Sequence, residues 1–325
     1  MPLKKITFQT HQKDVAKRLD QVLAERLPEI IGEPLSKGKI RKVIVAGAVY
    51  LNGKRVRIAS KELFKNARVD VYLDLDKLNQ SGGNIIPFEL TKDRILFEDE
   101  YLIVVDKPAG IPTQPTLDEA RVNLFSAVKK YLASSYLGLH HRLDRDTSGV
   151  VLMSKSPKAN PGLAEGFSER RVTKIYQALS FRQRSLDPVS VKDGWTVRNF
   201  LGVNKSSPSK RKTYCSTRSG GDPAHTDFRV IEQFSRAYLI EAQPHTGRTH
   251  QIRVHLSEHG LPILGDKTYH GPHQLDSIEI PRTMLHALSL TFIHPIHQNR
   301  IAIQSELPGD FKKCLQALRG GPAGF

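Results

Sequence analysis

Short apolar runs bounded by turn-forming residues limit the folds open to most of this chain. Leu102–Val105 and Val150–Met153 have the length and composition of buried strands. The first run is followed by Lys107-Pro108-Ala109-Gly110, which is typical of a turn. Strand-like runs outnumber helical ones and do not alternate with them regularly. We therefore expect an α+β fold built around a mainly antiparallel mixed sheet.

Other segments of this region add further strands and helices. The remaining predicted strands lie around Ile175–Leu179, Phe228–Val230 and Tyr238–Ile240, and the predicted helices at Val122–Leu132 and after Asn160. The segment 249–260 fits a helix or a strand, but Gly260 followed by Pro262 favours a helix that stops there. The segment 203–222 is basic and rich in Ser and Gly, which predicts a mobile loop.

The first quarter of the chain has the signals of a small separate unit. Apolar residues from Val15 to Leu23 recur at helical spacing, and Ser36 is a suitable N-cap for a second helix that ends at Gly47. Asn52-Gly53 lies between two strand-like runs and predicts a hairpin. Val69–Leu73 alternates as a further strand. We expect domains at 1–75 and 93–325, joined by a polar linker at 76–92.

The charge of the chain indicates a polyanionic partner. The 325 residues contain 49 Lys and Arg and 33 Asp and Glu, a formal net charge of +16. Residues 1–75 contain 16 basic and 8 acidic residues, so half of that excess lies in the first unit. Nucleic acid is the usual partner of such a protein, although a merely solvated basic face is the alternative. The basic residues around the second helix and the hairpin are Lys37, Lys39, Arg41, Lys42, Lys54, Arg55 and Arg57.

Three segments of the first unit resemble the S4-like RNA-binding domain. They are Lys17-Arg18-Leu19-Asp20, the helix near Ser36–Ala46, and Gly47-Ala48-Val49-Tyr50-Leu51-Asn52-Gly53. The resemblance covers about sixty residues and implies an RNA-binding αL module. We expect phosphate contacts from Lys39, Arg41, Lys42 and Arg55.

The segment HRLDRDTSG at 141–149 contains the first candidate for chemistry. Arginines flank Asp144, and an ionised carboxylate there can act as a nucleophile or a base. An ordinary turn residue is the alternative, and Asp146 competes by spacing alone. Tyr176 could stack on a planar substrate or be a core tyrosine. Arg253 could pair with a carboxylate and Arg248 could bind phosphate, or both could be surface arginines.

Several classes of protein are disfavoured by features that the sequence lacks. Two cysteines exclude a disulfide framework, and no apolar run is long enough for a membrane span. The N-terminus lacks a secretory signal, so we expect a cytoplasmic protein. There is no HExxH, Walker, GxSxG or GxGxxG motif. The histidines with spacing that could bind zinc are His140, His141, His250, His255 and His259, but no carboxylate accompanies them at ligand spacing.

The motifs of the second region together resemble the RluA-type RNA pseudouridine synthase family. They are EDEYLIVVDKPAG at 98–110, HRLDRDTSG at 141–149, KIYQA at 174–178, TGRTHQIRVHLSEHGLPILGDKTY at 246–269 and LHALSLTFIHP at 285–295. The resemblance covers nearly all of residues 95–310, with the motifs in the family order. It implies a pseudouridine synthase fold, uridine isomerisation within RNA, and no cofactor or metal.

The resemblance also assigns roles residue by residue. The catalytic aspartate of the family falls on Asp144 and its active-site tyrosine on Tyr176. Arg253, the arginine of HQIR, is the implied basic partner of the aspartate. Arg142 is implied to fill the stack that the flipped base leaves. No family role falls on the pair His140-His141.

Two other functions explain part of the sequence. A non-catalytic RNA-binding or ribosome-assembly factor explains the charge but not Asp144, Tyr176 and Arg253 together. A metal-dependent nuclease would use the histidines. An S4-like module favours structured ribosomal RNA, with the large subunit first and transfer RNA as the alternative. We expect a monomer with no membrane partner.

Overall fold

The structure, a computed structural model, describes residues 4–74, 88–115, 122–182, 194–204, 213–217 and 220–320. These residues form two compact units, one with the described residues up to 74 and one with most of those from Phe88 onward. The predicted linker at 76–92 falls largely outside the described ranges, so the domain boundaries stay a prediction. Among the described helices, none combines the length and apolar composition that a membrane span requires.

The N-terminal unit contains two helices and a four-stranded antiparallel sheet in the order β1-β4-β2-β3. Its strands are β1 (Lys4–Gln9), β2 (Val49–Leu51), β3 (Lys54–Val56) and β4 (Arg68–Leu73), and its helices are α1 (Leu19–Ile31) and α2 (Lys37–Val45). One apolar core joins both layers, with Leu23 and Ile40 from the helices and Val71 from β4 fully buried. The unit therefore has a core of its own.

Local signals explain where the elements of this unit begin and end. The Ser36 side chain accepts a hydrogen bond from the Lys39 backbone at 3.3 Å and caps α2. The helix ends before Gly47, whose φ of +77° suits glycine. Asn52 and Gly53 both have positive φ and join β2 to β3. These predictions are confirmed, whereas the sequence analysis did not predict β1.

The second unit is built on an eleven-stranded sheet. Its main order is β11-β10-β12-β13-β9-β16-β8-β6-β5, with β17 beside β16 and β7 beside β8. Among the described pairings of this sheet, β16 with β8 is the parallel one, so the expected α+β fold with a mainly antiparallel sheet is confirmed. The strands are β5 (Ile95–Glu98), β6 (Leu102–Lys107), β7 (Gly138–Leu139), β8 (Ser148–Ser154), β9 (Thr173–Phe181), β10 (Trp195–Val203), β11 (Tyr214–Ser216), β12 (Asp222–Gln233), β13 (Ala237–Pro244), β16 (Leu285–Ile293) and β17 (Arg300–Gln304).

Helices and one small hairpin accompany this sheet. The helices are α3 (Leu124–Tyr131), α4 (Asn160–Ser168), α5 (Gln251–Glu258) and α6 (Gly309–Leu318), and the hairpin is β14 (Gln274–Leu275) with β15 (Ile278–Glu279). The segment 249–260 thus forms a helix, as the stop signal at its end favoured. Its buried residues Ile252 and Leu256 join the core that β9, β12, β13 and α6 share. The first residue of α5, Gln251, is held at β12 by hydrogen bonds to the Thr226 hydroxyl and the His225 carbonyl.

The parallel contact between β8 and β16 depends on a glycine. Gly149 faces Ala287 across the two strands, and a Cβ at Gly149 would lie 2.1 Å from the Ala287 carbonyl oxygen. Its φ of +115° also disfavours any side chain. Gly149 is the last residue of the HRLDRDTSG motif. The motif therefore contains a residue that the pairing of β8 with β16 requires, in addition to the candidate for chemistry.

The prediction of a mobile loop over 203–222 is wrong in part. Tyr214–Ser216 forms β11, which pairs with the β10 residues Leu201–Val203, and Asp222 already belongs to β12. Residues 205–212 and 218–219 of the predicted loop lie outside the described residues. The sequence analysis also missed β10, because its exposed face carries Phe200 and the apolar alternation is thereby hidden.

Candidate active site

Asp144 lies in the loop that leads into the buried strand β8, and the loop backbone is held on both sides of it. The Thr113 hydroxyl donates to the carbonyl of Leu143 at 2.7 Å and accepts from its N–H at 3.1 Å. On the other side, the Gly110 N–H donates to the Arg145 carbonyl at 2.8 Å. The Asp144 carboxylate is therefore carried by a backbone with little freedom.

Lys107 connects the KPAG turn to this loop. Its side chain is fully buried, and Nζ donates to the carbonyls of Pro108 at 2.9 Å, Ile111 at 2.9 Å and Arg145 at 3.1 Å. Burial lowers the pKa of Lys107 to about 7, although nearby carboxylates oppose the shift. The sequence analysis treated Lys107 only as a turn residue. A lysine at the end of an apolar strand was the available signal.

Asp146 occupies a different environment from Asp144. Its carboxylate pairs with the adjacent Arg145, with Nε–Oδ1 at 3.0 Å and NH2–Oδ2 at 3.1 Å. Its carbonyl accepts from Arg282, whose guanidinium also grips Asp310 at 2.6 Å. Neither interaction of Asp146 involves α5. The geometry therefore separates the two carboxylates that the sequence left in competition.

Arg253 of α5 binds two carboxylates at once. Its NH1 atom lies 2.9 Å from Asp144 Oδ2, while Nε and NH2 lie 2.6 Å and 2.8 Å from the two oxygens of Asp266. Burial opposes the charge of Arg253, but the hydrogen bonds and charges of Asp266 and Asp144 outweigh it and raise its pKa. The guanidinium of Arg253 is thus permanently charged, and one of its nitrogen atoms binds Asp144.

Asp266 is a residue of this site that the sequence analysis missed. It is fully buried, and its Oδ1 also accepts from the backbone N–H groups of Thr268 and Tyr269 at 3.0 Å and 3.3 Å. The guanidinium of Arg253 additionally lies over the Tyr269 ring at 5.1 Å. An aspartate in the GDKTY segment was the signal. Its pairing with Arg253 depends on a fold that brings both to one place.

His250, at the start of α5, is the third group near Asp144. Its Nε2 lies 3.7 Å from Asp144 Oδ2, and its Nδ1 lies 2.9 Å from the Tyr269 hydroxyl. Burial lowers the pKa of His250 despite the attraction of Asp144. The residue has a left-handed φ of +58°, an uncommon value outside glycine. That backbone turns the chain into α5 immediately before Arg253.

Tyr176 lies in β9, between Ala242 of β13 and Ala287 of β16. Its side chain is partly buried and borders the same cavity as Asp144. Burial, with a contribution from the charge of Asp144, raises the pKa of Tyr176. The phenol therefore keeps its proton at neutral pH and offers an aromatic face and a hydroxyl group, not a phenolate.

Asp144, Tyr176, His250 and Arg253 line a cavity of about 570 Å³. Arg142 is exposed on its wall, with NH2 3.4 Å from the Thr249 hydroxyl. Arg248 is also exposed, and its Nε donates to the Pro223 carbonyl at 3.1 Å. A cavity with one carboxylate among several arginines suits a polyanionic substrate that must meet a carboxylate. The structure thus brings together the predicted residues Arg142, Asp144, Tyr176, Arg248 and Arg253.

The histidines proposed as zinc ligands have other partners in the described residues. His141 stacks on Phe167 at 5.1 Å, and its Nε2 accepts from the Leu152 N–H at 2.9 Å. Burial lowers the pKa of His141 to about 3. His255 contacts Thr226 and Asn199, each at 3.0 Å. These histidines support neighbouring backbone and side chains.

The described residues do contain two other groups with clustered ligand atoms, His225-Asp227-His245 and Asp99-His294-His297. In the first, the imidazole rings stack with 21° between their planes, and in the second with 25°. A metal ion lies near the plane of each imidazole that binds it. Nearly parallel stacked rings cannot both meet that condition, so neither arrangement resembles a preformed metal site.

The predicted RNA-contact residues of the N-terminal unit lie on and beside α2. Arg41 Nε is 2.9 Å from Asp20 Oδ2, and Arg55 lies over the Tyr50 ring at 5.2 Å. Burial opposes the charge of Asp20, but Arg18 and Arg41 hold its pKa below the ordinary value. The side chains of Arg55 and Arg57 approach Gly47 closely, so the hairpin brings its arginines over the end of α2. Lys39 and Lys42 are partly exposed on the same helix.

Comparisons with known proteins show which family the chain belongs to. Residues 101–258 match the family model described as RNA pseudouridylate synthase, and residues 17–69 match the S4 domain. A ribosomal large subunit pseudouridine synthase D of Zymomonas mobilis is 30% identical over 98% of this chain and 98% of its own length. The corresponding protein of Nitrosomonas europaea is 32% identical, over 94% of this chain and 85% of its own.

The chain belongs to the RNA pseudouridylate synthase family. Solved structures show the same fold. Human RNA pseudouridylate synthase domain containing 4 superposes with a TM-score of 0.54 at 25% identity, covering 70% of this chain and 93% of its own. As a member of this family the protein is an RNA pseudouridine synthase with an N-terminal S4 domain. The enzyme class and both predicted resemblances are confirmed.

Proposed function

We propose that this pseudouridine synthase converts specific uridines of large-subunit ribosomal RNA to pseudouridine, with Asp144 as the catalytic carboxylate. The observation that carries the proposal is the contact of Arg253 with Asp144 at 2.9 Å, inside a cavity that Tyr176 also lines. Relatives that match nearly all of this chain are named for the large ribosomal subunit. Transfer RNA is the other substrate that the sequence allows.

The reaction is an isomerisation in which every atom is retained. The N1–C1′ bond of uridine breaks, and its electron pair stays on uracil. The base turns, C5 bonds to C1′, the C5 proton leaves and N1 gains a proton. The overall change needs no oxidant and no second substrate. Acid–base and charge-stabilising side chains are therefore the groups that the enzyme must supply.

Asp144 acts at the ribose in this proposal. Its carboxylate either attacks C1′ directly or removes a sugar proton to give a glycal. Both routes need an ionised oxygen held close to the sugar. Arg253 fixes that oxygen, and Asp266 fixes Arg253 through two hydrogen bonds of 2.6 Å and 2.8 Å. The orientation of Asp144 thus exists before RNA binds, which lowers the entropy cost of the step.

Tyr176 holds the base in this proposal. Its ring offers a surface on which uracil can stack, and its protonated hydroxyl can donate or accept a hydrogen bond during loss of the C5 proton. The raised pKa disfavours a phenolate as the base. Tyr176 therefore assists the proton transfer through its neutral hydroxyl group.

The target nucleotide must leave the RNA stack to reach this cavity. Base flipping costs about a few kcal/mol, which contacts with the RNA backbone must offset. Arg142 is exposed and lines the same cavity as Asp144, and in this proposal it fills the space that the flipped base leaves. Arg248 at the cavity wall can bind phosphate, and the N-terminal residues Lys39, Arg41, Lys42 and Arg55 extend the RNA contact.

Mapping of pseudouridines in cellular RNA, with and without this protein, tests the proposal. We expect defined positions in large-subunit ribosomal RNA to lose pseudouridine when the protein is absent and to regain it when the protein is restored. Restoration with the variant Asp144→Asn is the matched control and should not return the modification. Loss confined to transfer RNA would assign the alternative substrate, and no change in any RNA would contradict the proposed activity.

A further inference from the structure

Lys174 is an ionisable residue of the cavity that the proposed mechanism does not yet use. It lies in β9, two residues before Tyr176, and side chains at that spacing point to the same face of a strand. Both line the cavity that holds Asp144. Lys174 therefore faces the space in which a base stacked on Tyr176 would lie.

The hydrogen bonds of Lys174 are far from saturated within the described residues. An ammonium group has three donors, but Nζ makes one contact, to the Thr246 carbonyl at 3.5 Å. Lys107 in the same unit satisfies all three of its donors with carbonyls at 2.9–3.1 Å. Burial lowers the pKa of Lys174 to about 8. Lys174 is thus a desolvated cation that is available to a ligand.

The surroundings of Lys174 in the cavity indicate which part of the substrate Lys174 can contact. Lys174, Tyr176, His141 and Asp144 all line this one cavity. Among the described residues no carboxylate pairs with Lys174, whose one hydrogen bond is to the Thr246 carbonyl. In the proposed mechanism the ribose lies at Asp144 and the base on Tyr176, so the base occupies the cavity that Lys174 also lines.

The base gains negative charge during the reaction. When the N1–C1′ bond breaks, the electron pair remains on uracil and spreads onto its two carbonyl oxygens. We propose that Lys174 donates a hydrogen bond to a carbonyl oxygen of the detached uracil and stabilises its charge until C5 bonds to C1′. This inference rests on the proposed function and names a further catalytic residue for it.

The test compares Lys174→Met, which removes the cation but keeps an unbranched side chain, with Lys174→Arg, which keeps the charge. Single-turnover kcat and the RNA Kd are measured on a transcript that carries a uridine identified by the mapping experiment. Loss of one preorganised donor costs about 10²–10³-fold in rate. We expect a loss of that size in kcat for Lys174→Met, a Kd within threefold of wild type, and recovery of most of the rate in Lys174→Arg.

Lys158→Met is the matched control, because Lys158 is an exposed lysine of the same unit outside the cavity. It should behave as wild type in both measurements. A kcat of Lys174→Met within threefold of wild type would overturn the inference, and so would a loss confined to Kd, which marks a phosphate contact instead. Thermal unfolding of each variant shows whether a loss of rate comes from misfolding. Recovery of the rate in Lys174→Arg shows that the positive charge is required, and not only a side chain that fills the space. If wild type itself forms no pseudouridine, the proposed function fails and not this inference alone.

Discussion

The cavity around Asp144 and the basic face of α2 and the β2–β3 hairpin use charge in opposite ways. In the cavity, Arg253 is 10% exposed and shares two carboxylates in one fixed geometry. On the basic face, the side chain of Arg41 is 43% exposed, and Lys37, Lys54 and Arg55 are exposed as well. Buried pairs define the position of an atom, whereas exposed cations supply a field. The first arrangement suits chemistry, and the second suits attraction of RNA.

The largest expected effect separates these two uses of charge. Asp144→Asn keeps the size of the side chain but removes the carboxylate that acts at the ribose. We expect kcat to fall by about 10³-fold or more, with the RNA Kd within threefold of wild type. Asp146→Asn is the control, because that carboxylate pairs with Arg145 and not with Arg253. Equal losses in both variants would contradict the assignment of Asp144.

The next effect tests whether the buried pairing of Arg253 with Asp144 depends on Asp266, the second carboxylate that Arg253 binds. Asp266→Asn leaves the buried Arg253 with Asp144 as its one carboxylate partner, and breaking such a pair costs about 3 kcal/mol of unfolding free energy. We expect that loss in denaturant unfolding, together with a lower kcat. Asp276→Asn, which breaks the exposed pair with Arg236, should change the unfolding free energy very little. If Asp266→Asn unfolded at the same denaturant concentration as wild type, the pairing of Asp266 with Arg253 would not stabilise the protein as expected.

A smaller effect tests the basic face. In a variant with Lys37, Lys42 and Arg55 all changed to Gln, RNA affinity should fall and the slope of log K against log salt should become shallower. The slope falls by about 0.7–0.9 for every phosphate that is no longer neutralised by a cation of the protein. Single-turnover kcat at saturating RNA should stay at the wild-type value. A fall in kcat with an unchanged salt slope would mean that this face does not bind phosphate.

The smallest effect is a dependence of kcat on pH. Burial lowers the pKa of Lys174 to about 8, so its charge is present below that pH and is lost as the pH rises through it. We expect kcat to decline above about pH 8 and the decline to be absent in Lys174→Arg. The other cavity groups do not mimic it. His140, His141 and His250 have lowered pKa values, and the pKa of Tyr176 is raised. The remaining charged or titratable lining residues are Asp144, His245, Arg142, Arg170, Arg248 and Arg253. An alkaline decline that persists in Lys174→Arg would assign it to another group.

Elements with strong local signals could be predicted from the sequence. The capped helix after Ser36 and the Asn52-Gly53 hairpin are determined by a few adjacent residues. The buried runs at Leu102–Val105 and Val150–Met153 became β6 and β8. Strand β1 was missed because it has few apolar residues, and β10 because Phe200 on its exposed face hides the apolar alternation. Where the apolar alternation of a segment is irregular, its pairing with a neighbouring strand decides that it becomes a strand.

The site was predicted unevenly for the same reason. Asp144, Tyr176 and Arg253 could be named because they lie in motifs that resemble a family, although the structure alone brings Arg253 to 2.9 Å from a residue 109 positions away. Asp266, Lys107 and Lys174 lie in the same motifs, but the motifs do not show that these charged residues are removed from water. Their importance depends on burial, which the sequence of a short segment does not report.

The sequence by itself determined the RNA-directed charge, the class of fold, the helix caps and turns, and the residues that carry the family resemblance. Each of these depends on composition or on neighbours a few positions apart. The tertiary structure alone decided which carboxylate Arg253 holds, which buried carboxylate orients it, and which lysine faces the cavity. Those outcomes depend on contacts between distant segments and on the removal of water from charged groups, and both arise only when the chain is folded.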